Sequence, residues 1–118
     1  MTALPLKLGN KVIIERCFLA HSFFSRFLGL MGRTHLPSDE AVLFPKCNSL
    51  HTFFMRFPID VVFTSRTGEV IEVIEALPAW RMLLPRLQAK HALELMAGRA
   101  KKLGIDTGCV LQYEGVFL

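Results

Sequence analysis

Ile59-Asp60-Val61-Val62-Phe63-Thr64, Ser65-Arg66-Thr67-Gly68 and Glu69-Val70-Ile71-Glu72-Val73-Ile74 follow one another without a break, and the run reads as a β-hairpin. β-Branched and aromatic residues fill both arms, where they suit a pleated, half-buried surface. Side chains of a strand alternate between its faces. On the first arm Ile59, Val61 and Phe63 therefore share one face, and Asp60, Val62 and Thr64 the other. On the second arm Glu72 alternates with Ile71 and Val73. The connector ends on Gly68, which suits a backbone position of positive φ.

Shorter segments flank this hairpin. Residues 11–16 (Lys11-Val12-Ile13-Ile14-Glu15-Arg16) follow a Gly9-Asn10 turn signal and read as a strand. Ser22 is placed to cap a short helix whose Phe23, Phe27, Leu30 and Met31 share one face, with Gly29 and Gly32 weakening or ending it. A loop over 36–40 leads to a strand at Ala41-Val42-Leu43-Phe44, stopped by Pro45. Pro78 and Pro85 bracket an extended stretch around Trp80, and prolines favour an edge there. Residues 91–95 read as strand, 97–103 as a short helix running to Gly104, and 109–113 as the closing strand. Many short strands with few helices imply a mainly β fold, a compact barrel or jelly-roll-like sandwich with one or two short helices. A doubly wound parallel sheet would need regular helices of about 10–15 residues between strands, and these are missing.

At 118 residues the chain is expected to be a single domain, residues 1–118, with its core at about 11–113. Hydrophobic residues make up 52% and include 10 phenylalanines. That excess suggests a full core plus either an apolar pocket or an oligomer interface. No window reaches the roughly 18 uninterrupted apolar residues that a membrane span needs. Residues 1–11 lack a basic segment followed by an apolar one, so no secretory signal is read there. The three cysteines form no CxxC pair, which points to reduced thiols and a cytoplasmic setting. The net charge is +4, and residues 81–102 hold Arg81, Arg86, Lys90, Arg99, Lys101 and Lys102 against Glu94 alone.

Candidate chemistry gathers just before the hairpin, where residues 47–63 set Cys47, His51, Arg56 and Asp60 among aromatic and branched apolar side chains. Each polar group in such a run needs a partner or a cavity, because leaving one buried and unpaired costs about 1–3 kcal/mol. Cys47 and His51, four apart, could be a nucleophile and base or two ligands of zinc. No third ligand stands at motif spacing to them, and a buried thiol with a backbone-bonded histidine is the plainer reading. Asp60 must accept backbone N–H bonds, pair with Arg26, Arg33 or Arg56, or line a pocket. Glu94 would form a carboxylate pair with Asp60 only if both shared a sheet face. Phe53, Phe54, Phe57 and Trp80, with Arg56 and His51, could stack on bases or sugars, or build core. The segment 49–60 as a pocket wall makes His51, Phe54, Met55, Arg56, Asp60 and Glu94 the candidate ligand-binding residues. No phosphate loop, nucleophile elbow, HExxH or EF-hand pattern is present, so no catalytic residue, metal site or cofactor is assigned.

Taken in order, several stretches resemble the DUF192 (UPF0127) family of small bacterial and archaeal proteins. They are Arg26-Phe27-Leu28-Gly29-Leu30-Met31-Gly32-Arg33, Leu43-Phe44-Pro45, Ser49-Leu50-His51-Thr52-Phe53-Phe54-Met55 and Pro58-Ile59-Asp60-Val61-Val62-Phe63. They continue with Leu93-Glu94-Leu95, Ala97-Gly98-Arg99-Ala100, Leu103-Gly104-Ile105 and Gly108. The resemblance implies a small β-rich, barrel- or jelly-roll-like domain, and members that are often exported. Two positions depart from it. Met96 stands where the family usually has proline, and Cys109 follows Gly108 where aspartate is usual.

The family lends no established chemistry, so three functions stay open. The leading one is a non-enzymatic binding module for a small molecule or a protein partner. The others are a hydrolase or lyase using Asp60 and His51, with Glu94, and a nucleic-acid or anion binder using the basic stretch.

Overall fold

The structure is a computed structural model that describes residues 3–20, 36–53 and 55–117. The expected hairpin forms its centre. Strand β5 (Ile59–Thr64) pairs antiparallel with β6 (Val70–Leu77), in a register that sets Val62 opposite Val73. In the turn, Ser65 N donates to Glu69 O at 2.8 Å, and Ser65 Oγ accepts from the amides of Thr67 and Glu69. Gly68 takes φ 91°, and a Cβ there would run into the Leu111 carbonyl oxygen.

All six residues of β5 are buried. The alternation is therefore between two cores rather than between core and water, as expected of a strand lying inside a sheet. Seven strands make that sheet, in the order β6-β5-β8-β3-β2-β1-β9. Its other members are β1 (Ala3–Leu8), β2 (Lys11–Leu19), β3 (Glu40–Phe44), β8 (His91–Met96) and β9 (Leu111–Gln112). All pairings are antiparallel except β2 with β3. A parallel pair needs a long crossover, and residues 20–39 supply its length.

The sheet curls until its edges touch. Glu69 bridges Val110, Val70 N donates to Cys109 O at 2.7 Å and Leu111 N to Gly68 O at 2.8 Å. This is the barrel-like mainly β architecture that the short strands imply.

One core holds Leu6, Ile14, Cys17, Val62, Leu93 and Leu95, closed by Ala100 and Tyr113. The other holds Val42, Phe44, Val61, Phe63 and Ala92. Over this second core lie residues 45–53, 55–57 and 78–90, joined by a two-stranded sheet of β4 (Leu50–His51) and β7 (Met82–Leu83). They supply Leu50, Met55, Phe57, Leu83 and Ala89 to it.

Some expectations need correction. No strand was expected before Gly9, yet β1 forms, with Leu6 in the core and Leu4 and Leu8 packed against it; Pro5 lies where its register shifts. The second helix shrinks to α1 (Arg99–Lys102), and the closing strand to two residues. The helix expected after Ser22 lies outside the described residues.

Candidate functional site

Asp60 is fully buried and its oxygens meet three backbone amides. Oδ1 accepts from Ala76 N at 2.8 Å, and Oδ2 from Gly98 N at 3.0 Å and Ala100 N at 2.9 Å. The β5–β6 register slips between the pairs Ile59–Leu77 and Val61–Ile74. A bulge of this kind leaves an amide without a ladder partner, and the Asp60 carboxylate takes the one at Ala76, where φ is 49°. Its other oxygen caps the start of α1, whose first amides have no intrahelical acceptor. Of the two structural options, backbone donors hold this side chain; Arg26 and Arg33 lie outside the described residues.

Glu94 is buried as well but stands opposite Val61 and Val42, whereas Asp60 stands opposite Leu95. Directly paired residues point to the same side of a sheet. The two carboxylates therefore project from opposite faces, and the condition for a carboxylate pair is not met.

The remaining described candidates, His51, Met55 and Arg56, sit in the layer over the second core. Thr52, completely buried, organises it. Its amide donates to Arg81 O at 2.8 Å, and its carbonyl accepts from Trp80 N at 3.0 Å. Its hydroxyl donates to Pro78 O at 2.7 Å and accepts from Arg81 N at 2.9 Å. These bonds hold residues 78–81 in a turn with Trp80 at φ 62°. An L-residue there costs roughly 1–2 kcal/mol. The turn brings the Trp80 ring against Phe53, centroids 5.9 Å apart, and Phe53 stacks on His51 at 4.8 Å. His51 Nδ1 accepts from Phe53 N at 3.3 Å. Arg56 is exposed, whereas Met55 and Phe57 are core. Phe54 lies outside the described residues. Of the stacking set, His51, Phe53 and Trp80 come together while Phe57 turns inward.

Cys47 Sγ donates to Ser49 O at 2.8 Å, and Cys17, Cys47 and Cys109 stand outside any disulfide. Burial pushes the Cys17 thiol well above its usual range. The Tyr113 phenol is pushed up to about 12, chiefly by burial, and donates to Cys17 O at 2.7 Å. His91 is buried, accepts from Lys46 N at 3.2 Å and lies 5.4 Å from the Phe117 ring. Burial and then the Lys90 ammonium hold its pKa below 6.5, opposed by the Arg66 backbone. Among the described residues no three His, Cys, Asp or Glu side chains gather where a metal ion could sit.

Six large apolar side chains are exposed among the described residues, and four of them belong to 78–90: Trp80 at 56%, Met82 at 64%, Leu84 at 71% and Leu87 at 94%. Residue typing alone does not reveal this, because Leu83, between two of them, packs inward. The strand alternation over 82–84 is the signal that could have separated them. Two clefts lie elsewhere. One of about 600 Å³ runs along the sheet seam beside Lys7, Gln112 and Phe117. Another of about 510 Å³ lies between Glu75, Lys101 and Asp106. None of the five described candidates, His51, Met55, Arg56, Asp60 and Glu94, lines either. The basic stretch divides between the 78–90 layer and α1, and Arg86 pairs with Glu72 at 2.9 Å while covering the Phe63 ring.

The sequence pattern of DUF192, described as an uncharacterised ACR, matches residues 7–113, and the chain belongs to this family. A UPF0127 protein of Thermococcus sibiricus is 33% identical over 112 residues, covering 92% of this chain and 72% of the relative. A protein of unknown function from Novosphingobium aromaticivorans has a similar fold, with TM-score 0.76 at 22% identity over 94% of this chain and 85% of its own. A crystal structure from Sinorhizobium meliloti, described as a candidate transcription regulator, matches with TM-score 0.71 at 24% identity, over 81% and 79%. At these identities the two structures bear on the fold alone. No helix among the described residues is long and apolar enough to cross a membrane.

Proposed function

We propose that this DUF192 domain is a non-enzymatic binding module that meets its partner with the layer formed by β4, β7 and residues 78–90. The observation that carries the reading is the concentration of exposed Trp80, Met82, Leu84 and Leu87 on one connection. Contiguous exposed apolar side chains on a folded domain mark interaction sites. The positive φ of Trp80 supports the same reading, since backbone strain clusters where a side chain must be displayed. His51 and Phe53 back the Trp80 ring, and Arg56 lies exposed nearby in the chain. Asp60 and Glu94 belong to the scaffold in this proposal.

Acid–base chemistry with Asp60, His51 and Glu94 is disfavoured by geometry. Three amides occupy the Asp60 oxygens, Glu94 projects from the opposite face, and the Phe53 amide faces His51 Nδ1. Trp80 is the chain's one tryptophan, so its emission reports on the proposed surface alone. Titration with soluble aromatic and acyl-chain fragments should shift that emission saturably, and Phe53→Ala should weaken the response. Turnover of an ester or amide panel, abolished by a folded His51→Ala variant, would replace the module with the hydrolase.

A further inference from the structure

We infer that the partner of this surface is an anionic lipid bilayer, met at its interface by the crest Trp80, Met82, Leu84 and Leu87; the inference rests on the proposed function. Ala79, Leu83 and Ala89 turn in to the core, and the four large side chains between them project outward, Leu87 almost wholly. Neither described cleft contains any of these projecting side chains. They can enter a medium that closes around them.

Charge selects that medium. Residues 78–90 carry Arg81, Arg86 and Lys90 and no carboxylate. Arg81 and Lys90 are exposed, and Arg86 shares its charge with Glu72. Tryptophan and leucine beside cations is the composition that settles at the boundary between headgroups and acyl chains. Anionic lipid attracts the cations within about a Debye length. An apolar groove on a protein would accept the crest but has no need of the cations.

The experiment uses the intact chain with vesicles of phosphatidylcholine, with and without phosphatidylglycerol. Trp80 emission should move to the blue, and protein should sediment with the anionic vesicles, less so in high salt. Leu84→Ser with Leu87→Ser removes two exposed side chains and should leave melting unchanged while weakening sedimentation roughly tenfold. Arg81→Gln with Lys90→Gln should erase the preference for phosphatidylglycerol. Equal sedimentation of the double-serine variant would overturn the assignment. So would a concentration-dependent dimer abolished by the same variant, which would give the crest to a second copy of the chain. Vesicles that leave Trp80 unmoved, while fragments still shift it, sink the lipid and spare the module. Silence in both titrations sinks both.

Discussion

Asp60 and Thr52 are both completely buried, and each fixes a stretch of chain that holds a non-glycine residue at positive φ. What they fix differs. Asp60 gathers Ala76, Gly98 and Ala100, so every group it touches belongs to the scaffold where the β5–β6 bulge meets α1. Thr52 ties down residues 78–81, and the turn it makes presents Trp80 to solvent. Similar hydrogen-bond chemistry thus ends in the core on one side and in an exposed ring on the other. A buried polar group in an apolar run needs partners, but the partners alone do not tell a scaffold from a site. What the anchored segment exposes does.

The contrast breaks most sharply at Asp60. Asp60→Asn keeps the shape but turns an NH₂ toward amide donors, which should cost about 2–4 kcal/mol. Thermal unfolding should then fall by about 10 °C or more, while fragments still shift Trp80 emission below the melt. Unchanged melting with lost binding would reverse the two roles. Thr52→Val is nearly isosteric and leaves Arg81 N–H without its hydroxyl acceptor. A loss of about 1–2 kcal/mol is expected, with altered Trp80 emission in the unliganded protein that Asp60→Asn does not produce.

Trp80→Gly probes the exposed end of the turn that Thr52 holds. It relieves a positive-φ cost of about 1–2 kcal/mol and gives up a Phe53 stack worth about 0.5–1.5 kcal/mol. Melting should therefore stay within a few degrees of the parent while binding by calorimetry is lost. A large fall would make Trp80 part of the scaffold.

The smallest effect concerns His91, which accepts the amide of a third positive-φ residue, Lys46. Its pKa in the folded chain lies below 6.5, so the unfolded chain takes up a proton first as pH falls. Stability present above about pH 6.5 should decline toward pH 5, and melting curves of His91→Leu should show a shallower decline over that window.

Much of the fold can be read from residues because it is local. The hairpin needs only alternation and a glycine-ended connector, and both are plain over 59–74. Strand β1 carries a readable period of Leu4, Leu6 and Leu8, hidden by the proline between the first two. The parallel pairing of β2 with β3 and the Glu69–Val110 closure join residues distant in sequence, and no local pattern encodes them. The candidate site is legible in part. Residues 47–63 do hold both anchors, and the need of Asp60 for donors follows from its neighbours. Its donors, at 16 to 40 residues' separation, do not. Thr52 gives no signal at all, because an isolated threonine beside aromatics has no spacing to read. The exposure of Met82, and of Leu84 beside it, depends on which way one short strand faces.

In the proposed binding module, recognition belongs to the Thr52 side of the molecule. Amide chemical shifts of the labelled chain, recorded during titration with soluble acyl-chain and aromatic fragments, test it most directly. Saturable changes are expected at residues 51–53 and 79–88 alone, with the amides of Ala76, Gly98 and Ala100 unmoved. Changes centred on those three amides, or along the seam cleft beside Lys7 and Gln112, would contradict it.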